Sequence, residues 1–345
     1  MLFRSPNAIY AGSQACAQCH ADYAKHQIGS AMGRALETCA NCQILREHPS
    51  LTWQSGKYQY KIERKGEQSL YTVTDGVNSI TEPVLWCFGK GDAGQTYVFK
   101  HEGQFYESRA SYYAKIKGLD TTLGAPKTPP TSLAEAIGRP LQSADTKDCF
   151  SCHATAALSE GKLQLEKMTP GITCEACHGP GTEHIALASA GKFKTAPDKK
   201  IFNPATLGAY ELSQQFCGAC HRSWETVMTD GLRGIGNVRF QPYRLVNSDC
   251  YDPEDKRISC TACHNPHEAP VHEAASYDVK CAACHQIKGQ APSAKTGTAK
   301  RAAACRVGTS KCSSCHMPRY ELPGSHFTFT DHQIRVVRPG ETYPN

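Results

Sequence analysis

The chain has 345 residues, of which 40% are hydrophobic and 20% are charged, a composition typical of a folded protein and not of a disordered one. No stretch approaches the roughly 18 consecutive apolar residues of a membrane-spanning helix, so we expect no transmembrane span. The formal net charge is +6, and there are 19 cysteines, a density far above ordinary usage.

The pentad Cys-x-x-Cys-His occurs seven times along the chain. It is the attachment signature of c-type haem, in which two thiols form thioethers with one porphyrin and the following histidine binds its iron. Zinc sites or a disulfide framework would not require a histidine after every cysteine pair. We therefore predict seven haem c groups. The predicted cysteines and proximal histidines are Cys16, Cys19 and His20; Cys149, Cys152 and His153; Cys174, Cys177 and His178; Cys217, Cys220 and His221; Cys260, Cys263 and His264; Cys281, Cys284 and His285; and Cys312, Cys315 and His316.

Residues 1–50 are predicted to form an N-terminal segment with a single haem. Met1 to Ala15 lacks the apolar run of a secretory signal peptide. Haem is attached to such pentads after export, so the sequence is expected to be a mature or truncated form. The predicted location is the periplasm or the cell exterior.

Five cysteines lie outside the pentads. Cys39 and Cys42 repeat the pentad spacing but are followed by glutamine, a poor iron ligand, so we predict no eighth haem there. An exported protein would use such residues in disulfides. The bond would form among Cys39, Cys42 and Cys87, or between Cys250 and Cys305, and the sequence leaves the connectivity open.

Residues 51–120 are predicted to form a haem-free antiparallel β unit, and residues 121–148 a linker with a short helix. Alternating stretches rich in Tyr, Val, Ile and Phe predict the strands, and glycine-containing turns separate them. The four predicted strands are Tyr58–Arg64, Leu70–Thr74, Thr96–Lys100 and Gln104–Tyr113.

Residues 149–345 are predicted to form a six-haem domain, because six pentads crowd into it. Such density leaves little room for a side-chain core, so buried porphyrin faces are expected to replace one. The predicted fold class is therefore a multihaem cytochrome c with little regular secondary structure. Short helices would surround a stacked haem chain, with only a small antiparallel β unit near the N-terminal third.

Eight histidines lie outside the pentads and can supply the sixth iron ligands. Seven irons need at most seven such ligands, so one histidine is left over. His101 lies in a strand-like run and is interpreted as a surface residue. Methionine is the competing ligand, but only five are present. Mostly bis-histidine irons would have mostly low potentials. The predicted distal ligands are His26, His48, His184, His267, His272, His326 and His332.

Beyond the pentads, several stretches resemble the cytochrome c554-type multihaem proteins. They are Gly12–His20, Gly171–Gly181, and Cys312–Pro318 followed by Phe329–His332. The resemblance implies an exported electron carrier with stacked and perpendicular haem pairs and mostly bis-histidine irons. Some proteins of the wider multihaem class are reductases or oxidases of small nitrogen or sulfur compounds, and others polymerise into extracellular haem filaments.

The favoured function is electron transfer along a chain of seven haems, exchanged with redox partner proteins or extracellular acceptors. One form of it is the subunit of an extracellular cytochrome filament, or nanowire. The alternative is a multihaem oxidoreductase of a small nitrogen or sulfur compound with one open haem iron, although no residue is singled out as catalytic. A haem store is a third class. Two propionates per haem would offset the positive charge, so no nucleic-acid partner is predicted.

Overall fold

The computed structural model describes residues 9–285, 305, 307–338 and 340–344. Residues 1–8, which begin the stretch examined for a signal peptide, lie outside the described residues. The chain divides into two compact units. The N-terminal unit comprises residues 2–202 with 323–327, and the C-terminal unit comprises residues 203–322 with 328–345. The four-segment division expected from the sequence stays a prediction.

A nine-stranded antiparallel sheet dominates the N-terminal unit. Strands β2 to β8 are neighbours in chain order, while β1 pairs with β5 and β9 pairs with β7. Because β2 and β8 also lie against each other, the sheet is nearly closed. The strands are β1 (Leu36–Thr38), β2 (Ser50–Ser55), β3 (Tyr58–Lys65), β4 (Gln68–Thr74), β5 (Ser79–Phe88), β6 (Gln95–His101), β7 (Gln104–Tyr113), β8 (Gly118–Thr121) and β9 (Gly138–Pro140).

Alternation of buried and exposed side chains along the strands gives this sheet its own core. Tyr60 in β3 faces Val73 in β4, and the ring of Tyr71 packs against Phe99 with centroids 5.3 Å apart. Four tyrosines of this core cluster are at most 1% exposed, so aromatic area fills the interior. They are Tyr58, Tyr60, Tyr71 and Tyr97.

The fold class predicted from the sequence is wrong. The sheet runs from Leu36 to Pro140, well beyond a small β unit, and it is the largest regular structure among the described residues. The prediction assumed that porphyrin faces replace a side-chain core. This part of the chain instead buries tyrosine and aliphatic side chains between paired strands, which need regular hydrogen-bonded structure around them.

Short helices and short strands make up the remaining regular structure. None of the helices in the described ranges has the length and apolar character needed to cross a bilayer. The N-terminal unit contains α1 (Ser13–Ala17), α2 (Ala21–Ile28), α3 (Gln43–Glu47), α4 (Leu133–Ile137), α5 (Ser143–His153), α6 (Cys174–His178) and α7 (Thr182–Ser189), with β10 (Ala154–Thr155), β11 (Leu158–Ser159), β12 (Lys162–Leu163) and β13 (Thr169–Pro170).

Residues from 203 onward form mainly helical turns. They comprise a π-helical segment (Glu211–Cys217), four 3₁₀ segments (Pro204–Thr206, Ile235–Arg239, Lys256–Ile258 and Ala274–Tyr277), α8 (Gly218–His221), α9 (Trp224–Thr229), α10 (Gln241–Val246), α11 (Cys260–Cys263), α12 (Asp278–Ala282), α13 (Cys312–His316), β14 (Arg319–Leu322) and β15 (Phe327–Thr330).

Gly138 is required where β9 joins the sheet. Its φ is +145°, and a Cβ there would collide with the carbonyl oxygen of Glu107 on β7. We expect Gly138→Ala to lower the free energy of unfolding by more than about 1 kcal/mol, as measured by urea denaturation. Gly76→Ala is the control, because Gly76 has a φ of +93° but open space around it. An equal loss in both variants would contradict the role of the close approach.

Candidate haem sites

Each of the seven pentads overlaps a short helix, from α1 at Cys16 to α13 at Cys312. In a helical turn, residues i, i+3 and i+4 share a face, so both sulfurs and the imidazole of a pentad lie on one side. The turn is closed at His20, His264 and His285, whose backbone N–H groups each donate to the carbonyl of the first cysteine of their pentad at 2.9 Å. One porphyrin edge and its iron fit this arrangement of donors.

The proximal imidazoles of three pentads are oriented by backbone carbonyls. A carbonyl only accepts, so Nδ1 must carry the proton, and Nε2 is left as the nitrogen that can bind iron. Burial also lowers the pKa of His153, which keeps it neutral as an iron ligand must be. The bonds run from His153 to Ala35 (2.9 Å), from His178 to Phe202 (2.9 Å) and from His316 to Arg335 (2.8 Å).

The second pentad packs against the sheet. The Ala35 carbonyl that accepts from His153 also accepts from the backbone N–H of Gly89 at 2.8 Å, at the end of β5. Phe150 in α5 is fully buried, and its ring meets Trp86 and Phe88 edge-on with centroids 5.8 and 5.1 Å apart. The sheet therefore sets the position of this pentad.

In the C-terminal unit, His332 lies beside the proximal histidine His264. Their ring centroids are 6.1 Å apart and the planes are tilted by 41°. Two metal–imidazole bonds of about 2 Å each, with the distance from each ring centre to its nitrogen, span about 6 Å. The Nδ1 of His332 donates to the Thr330 carbonyl at 3.0 Å, and burial lowers the pKa of His332 to about 4. Spacing and protonation both suit one iron between the two rings.

A buried ion network holds the segment that carries His332. Asp331 is fully buried and accepts two bonds from Arg244, Nε to Oδ1 at 2.8 Å and Nη2 to Oδ2 at 3.0 Å. Arg335 Nη1 donates to the same carboxylate at 2.9 Å. The Arg244 guanidinium also lies over the Tyr343 ring at 4.6 Å. The network therefore anchors the chain on both sides of His332, at Asp331 and at Arg335.

His26 and His184 share the imidazole arrangement seen at His332. Their Nδ1 atoms donate to the carbonyls of Asp22 at 2.8 Å and Lys199 at 2.9 Å, which leaves Nε2 for iron. His267 is partly buried and His272 is exposed. The role of these four histidines as iron ligands stays a prediction.

Three other histidines use a ring nitrogen in contacts with side chains. Nε2 of His48 hydrogen-bonds the Tyr112 hydroxyl at 3.0 Å, and Nε2 of His326 bonds the Asp120 carboxylate at 2.8 Å. Nδ1 of His101 bonds the Glu82 carboxylate at 2.7 Å on the sheet. His48 and His326 are among the distal ligands predicted from the sequence, and that role stays a prediction.

Three of the pentad sulfurs lie where the neutral form is favoured. Burial raises the pKa of Cys149 and of Cys177 to about 11, and it raises that of Cys312 to about 12, with hydrogen bonding to Asp278 as a further cause. Cys260 differs, because its contact with Cys217 lowers its pKa to about 7. A thioether carries no charge, so its burial avoids the cost of burying a thiolate. The environments of the first three sulfurs therefore also fit covalent haem.

Cysteines outside the pentads lie in two places. Cys39, Cys42 and Cys87 are buried in the core of the sheet, where Cys42 lies beside Cys87 and Cys42 Sγ donates to Gln95 Oε1 at 3.1 Å. Cys250 lies close to the sixth pentad. The disulfide pairing stays a prediction. Across the described ranges, no group of three or more His, Cys, Asp or Glu side chains is arranged to hold a bare metal ion.

Sequence reasoning missed the residues that position the pentads. Asp331 directly precedes His332 in one of the quoted stretches, and Glu175 occupies an x position of the third pentad, but neither was singled out. The one local signal for Glu175 is its place between the two cysteines of a pentad, where a charged side chain would be buried only with a partner. The partners of both carboxylates are distant in sequence.

The family described as Cytochrome c554 and c-prime matches residues 119–179, which contain the second and third pentads. No curated protein and no solved structure matches the chain. The family match supports a c-type cytochrome that carries haem c and has an electron-transfer role.

Proposed function

We propose that this chain is a multihaem electron carrier, with one haem c at each of its seven pentads and mostly bis-histidine irons. The observation that carries the proposal is the pair formed by His264 and His332, whose rings lie 6.1 Å apart. An iron with an imidazole on each side has no open position for a substrate. Such a centre exchanges electrons and does not bind a small molecule.

The cysteines and histidines of the chain have separate roles in the proposed electron transfer. Bound haem c supplies one-electron exchange between ferric and ferrous iron. The paired cysteines fix each group covalently, and the proximal histidines are oriented by carbonyls such as that of Ala35. Desolvation lowers the pKa of His332 and of His264, which keeps both imidazoles neutral. The proposed electron donor and acceptor are redox proteins or extracellular acceptors.

We do not place an eighth haem at Cys39 and Cys42, because both side chains are packed in the core of the sheet with Cys87. A porphyrin there would displace tyrosine and aliphatic side chains from a closely packed interior. The choice between periplasm and cell exterior, and assembly into a filament, stay predictions from the sequence.

Intact mass and low-temperature EPR of the oxidised holoprotein test the proposal together. We expect a mass increase of seven haems and only low-spin ferric signals, because a haem iron with two axial ligands from the protein is low-spin. A smaller mass increase would contradict the haem count. One stoichiometric high-spin signal would show an open iron and would favour the oxidoreductase of a small nitrogen or sulfur compound.

A further inference from the structure

Glu175 places a carboxylate inside the third pentad. The residue lies between the two cysteines, in the first turn of α6, and it is 4% exposed. Across the residues that the structure describes, no lysine, arginine or histidine side chain forms an ion pair with it. A buried carboxylate is costly unless its oxygens are bonded, so the groups that donate to it show what this side chain holds in place.

Three backbone N–H groups donate to this carboxylate. Oε1 accepts from Ala11 at 2.8 Å and from Gly181 at 2.7 Å, and Oε2 accepts from Gly12 at 2.8 Å. Ala11 and Gly12 directly precede α1, and Gly181 directly precedes α7. Hydrogen bonds to an ionised acceptor are the stronger class. One side chain of α6 therefore holds the starts of two other helices.

The same three helices meet in further contacts. Helix α1 lies against α6. The Thr182 hydroxyl, at the first position of α7, donates to the Ile9 carbonyl at 2.7 Å. The chain that enters α1 is thus bonded both to α6 and to α7. The carboxylate of Glu175 lies at the junction of these three helices.

Helix α7 carries His184 at its third position. The Nδ1 of His184 donates to the Lys199 carbonyl at 2.9 Å, and the Phe193 ring meets the imidazole edge-on with centroids 5.4 Å apart. Lys199 is itself tied back, because its Nζ donates to the Ala196 carbonyl at 2.9 Å. These contacts orient the ring of His184, while the bond from Glu175 fixes the start of the helix that carries it.

We infer that Glu175 is a positioning residue that holds His184 at a haem iron. The inference rests on the proposed function, in which His184 is one of the distal ligands. Glu175 acts through the N–H group of Gly181 and through those that precede α1. The ionised form is needed, because a neutral amide has one acceptor oxygen and turns its own N–H groups toward the donors.

Glu175→Gln tests this role while leaving every cysteine and histidine in place. We expect an unchanged haem count by intact mass. We also expect one haem of the reduced protein to bind carbon monoxide with about tenfold higher affinity than in the wild type, the effect of losing one hydrogen bond to a charged group. A displaced His184 competes less well with carbon monoxide for the iron. Spectrophotometric titration with carbon monoxide measures the affinity.

Glu183→Gln is the matched control. It makes the same replacement in the first turn of α7, beside His184, at an exposed side chain. Its affinity for carbon monoxide should equal that of the wild type. Glu175→Asp is a milder second variant, because it keeps the charge on a side chain one methylene shorter, and its affinity should lie between those of the wild type and Glu175→Gln. Equal affinities in the Glu175 variants and the control would overturn the inference.

Double replacement shows whether Glu175 acts through His184. His184→Ala alone should open one iron to carbon monoxide. Adding Glu175→Gln should then open no second iron, because the residue through which Glu175 acts is already absent. A second open iron would overturn the inference, and so would a His184→Ala variant in which no iron opens. EPR and intact mass of the wild type separate these outcomes from failure of the proposed function, which they test without any replacement.

Discussion

Replacement of Asp331 by alanine is expected to lower the free energy of unfolding of the C-terminal unit by about 3–5 kcal/mol. The carboxylate is fully buried between Arg244, which is 1% exposed, and Arg335, which is 7% exposed at its side chain. Its removal would leave the buried Arg244 guanidinium without the carboxylate that offsets its desolvation, and would leave Arg335 with Glu341 as its carboxylate partner. Loss of one partner of a buried network is costly for this reason, even where the intact network adds little net stability.

Equilibrium denaturation of the holoprotein, followed by circular dichroism and by the visible haem spectrum, measures this effect. Asp230→Ala in the same unit is the matched control, because Asp230 forms a surface pair with Arg222 at 3.9 Å and is 45% exposed. That replacement should cost about 0–1 kcal/mol. Comparable losses in the two variants would mean that the buried network does not carry the stability assigned to it.

Replacement of His332 by alanine is expected to convert one low-spin ferric haem per chain to the high-spin form. The imidazole lies 6.1 Å from that of His264, and its removal would leave the iron there with a single protein ligand. EPR of the oxidised protein counts the new high-spin centre. Binding of carbon monoxide to one ferrous haem counts the same open position independently.

Two further variants control for indirect damage. His332→Met restores a sixth ligand and should return the iron to low spin with a higher potential, since thioether ligation raises haem potentials. His101→Ala should leave the spectrum unchanged, because the His101 ring pairs with Glu82 on the sheet. If His332→Ala stays fully low-spin, the pairing of His264 with His332 is wrong.

The sequence allowed prediction of those strands whose local pattern is strong. The four stretches predicted from alternation lie within β3, β4, β6 and β7, and the hairpin at Glu102 and Gly103 has positive φ at both residues. Alternation of tyrosine and valine with polar residues is a local property, so it can be recognised before any pairing is known.

Strands β1 and β9 were missed because distant pairing creates them. Strand β1 has three residues and pairs with β5, about fifty positions away, and β9 is a Gly-Arg-Pro segment held on β7. Pro83 and a register shift near Val84 interrupt β5. No local preference favours a strand in such segments. The wrong fold class followed, because the extent of the sheet depends on these pairings.

The chemistry of the candidate sites was easier to predict than their arrangement. Residue type and spacing within five residues define a pentad, so the sites could be recognised locally. Which histidine faces His264, or which segment Glu175 binds, depends on contacts between residues separated by 68 positions and by 163 positions. Composition and local spacing do not predict which distant residues come into contact.

The buried network around Asp331 also bears on the speed of electron transfer. Its carboxylate and guanidinium groups are fixed by one another and are shielded from water, so they have little freedom to reorient when an iron beside His332 gains or loses charge. In the proposed carrier, this rigidity lowers the reorganisation energy of that centre. The same residues that anchor the ligand would then keep the activation barrier to electron exchange small.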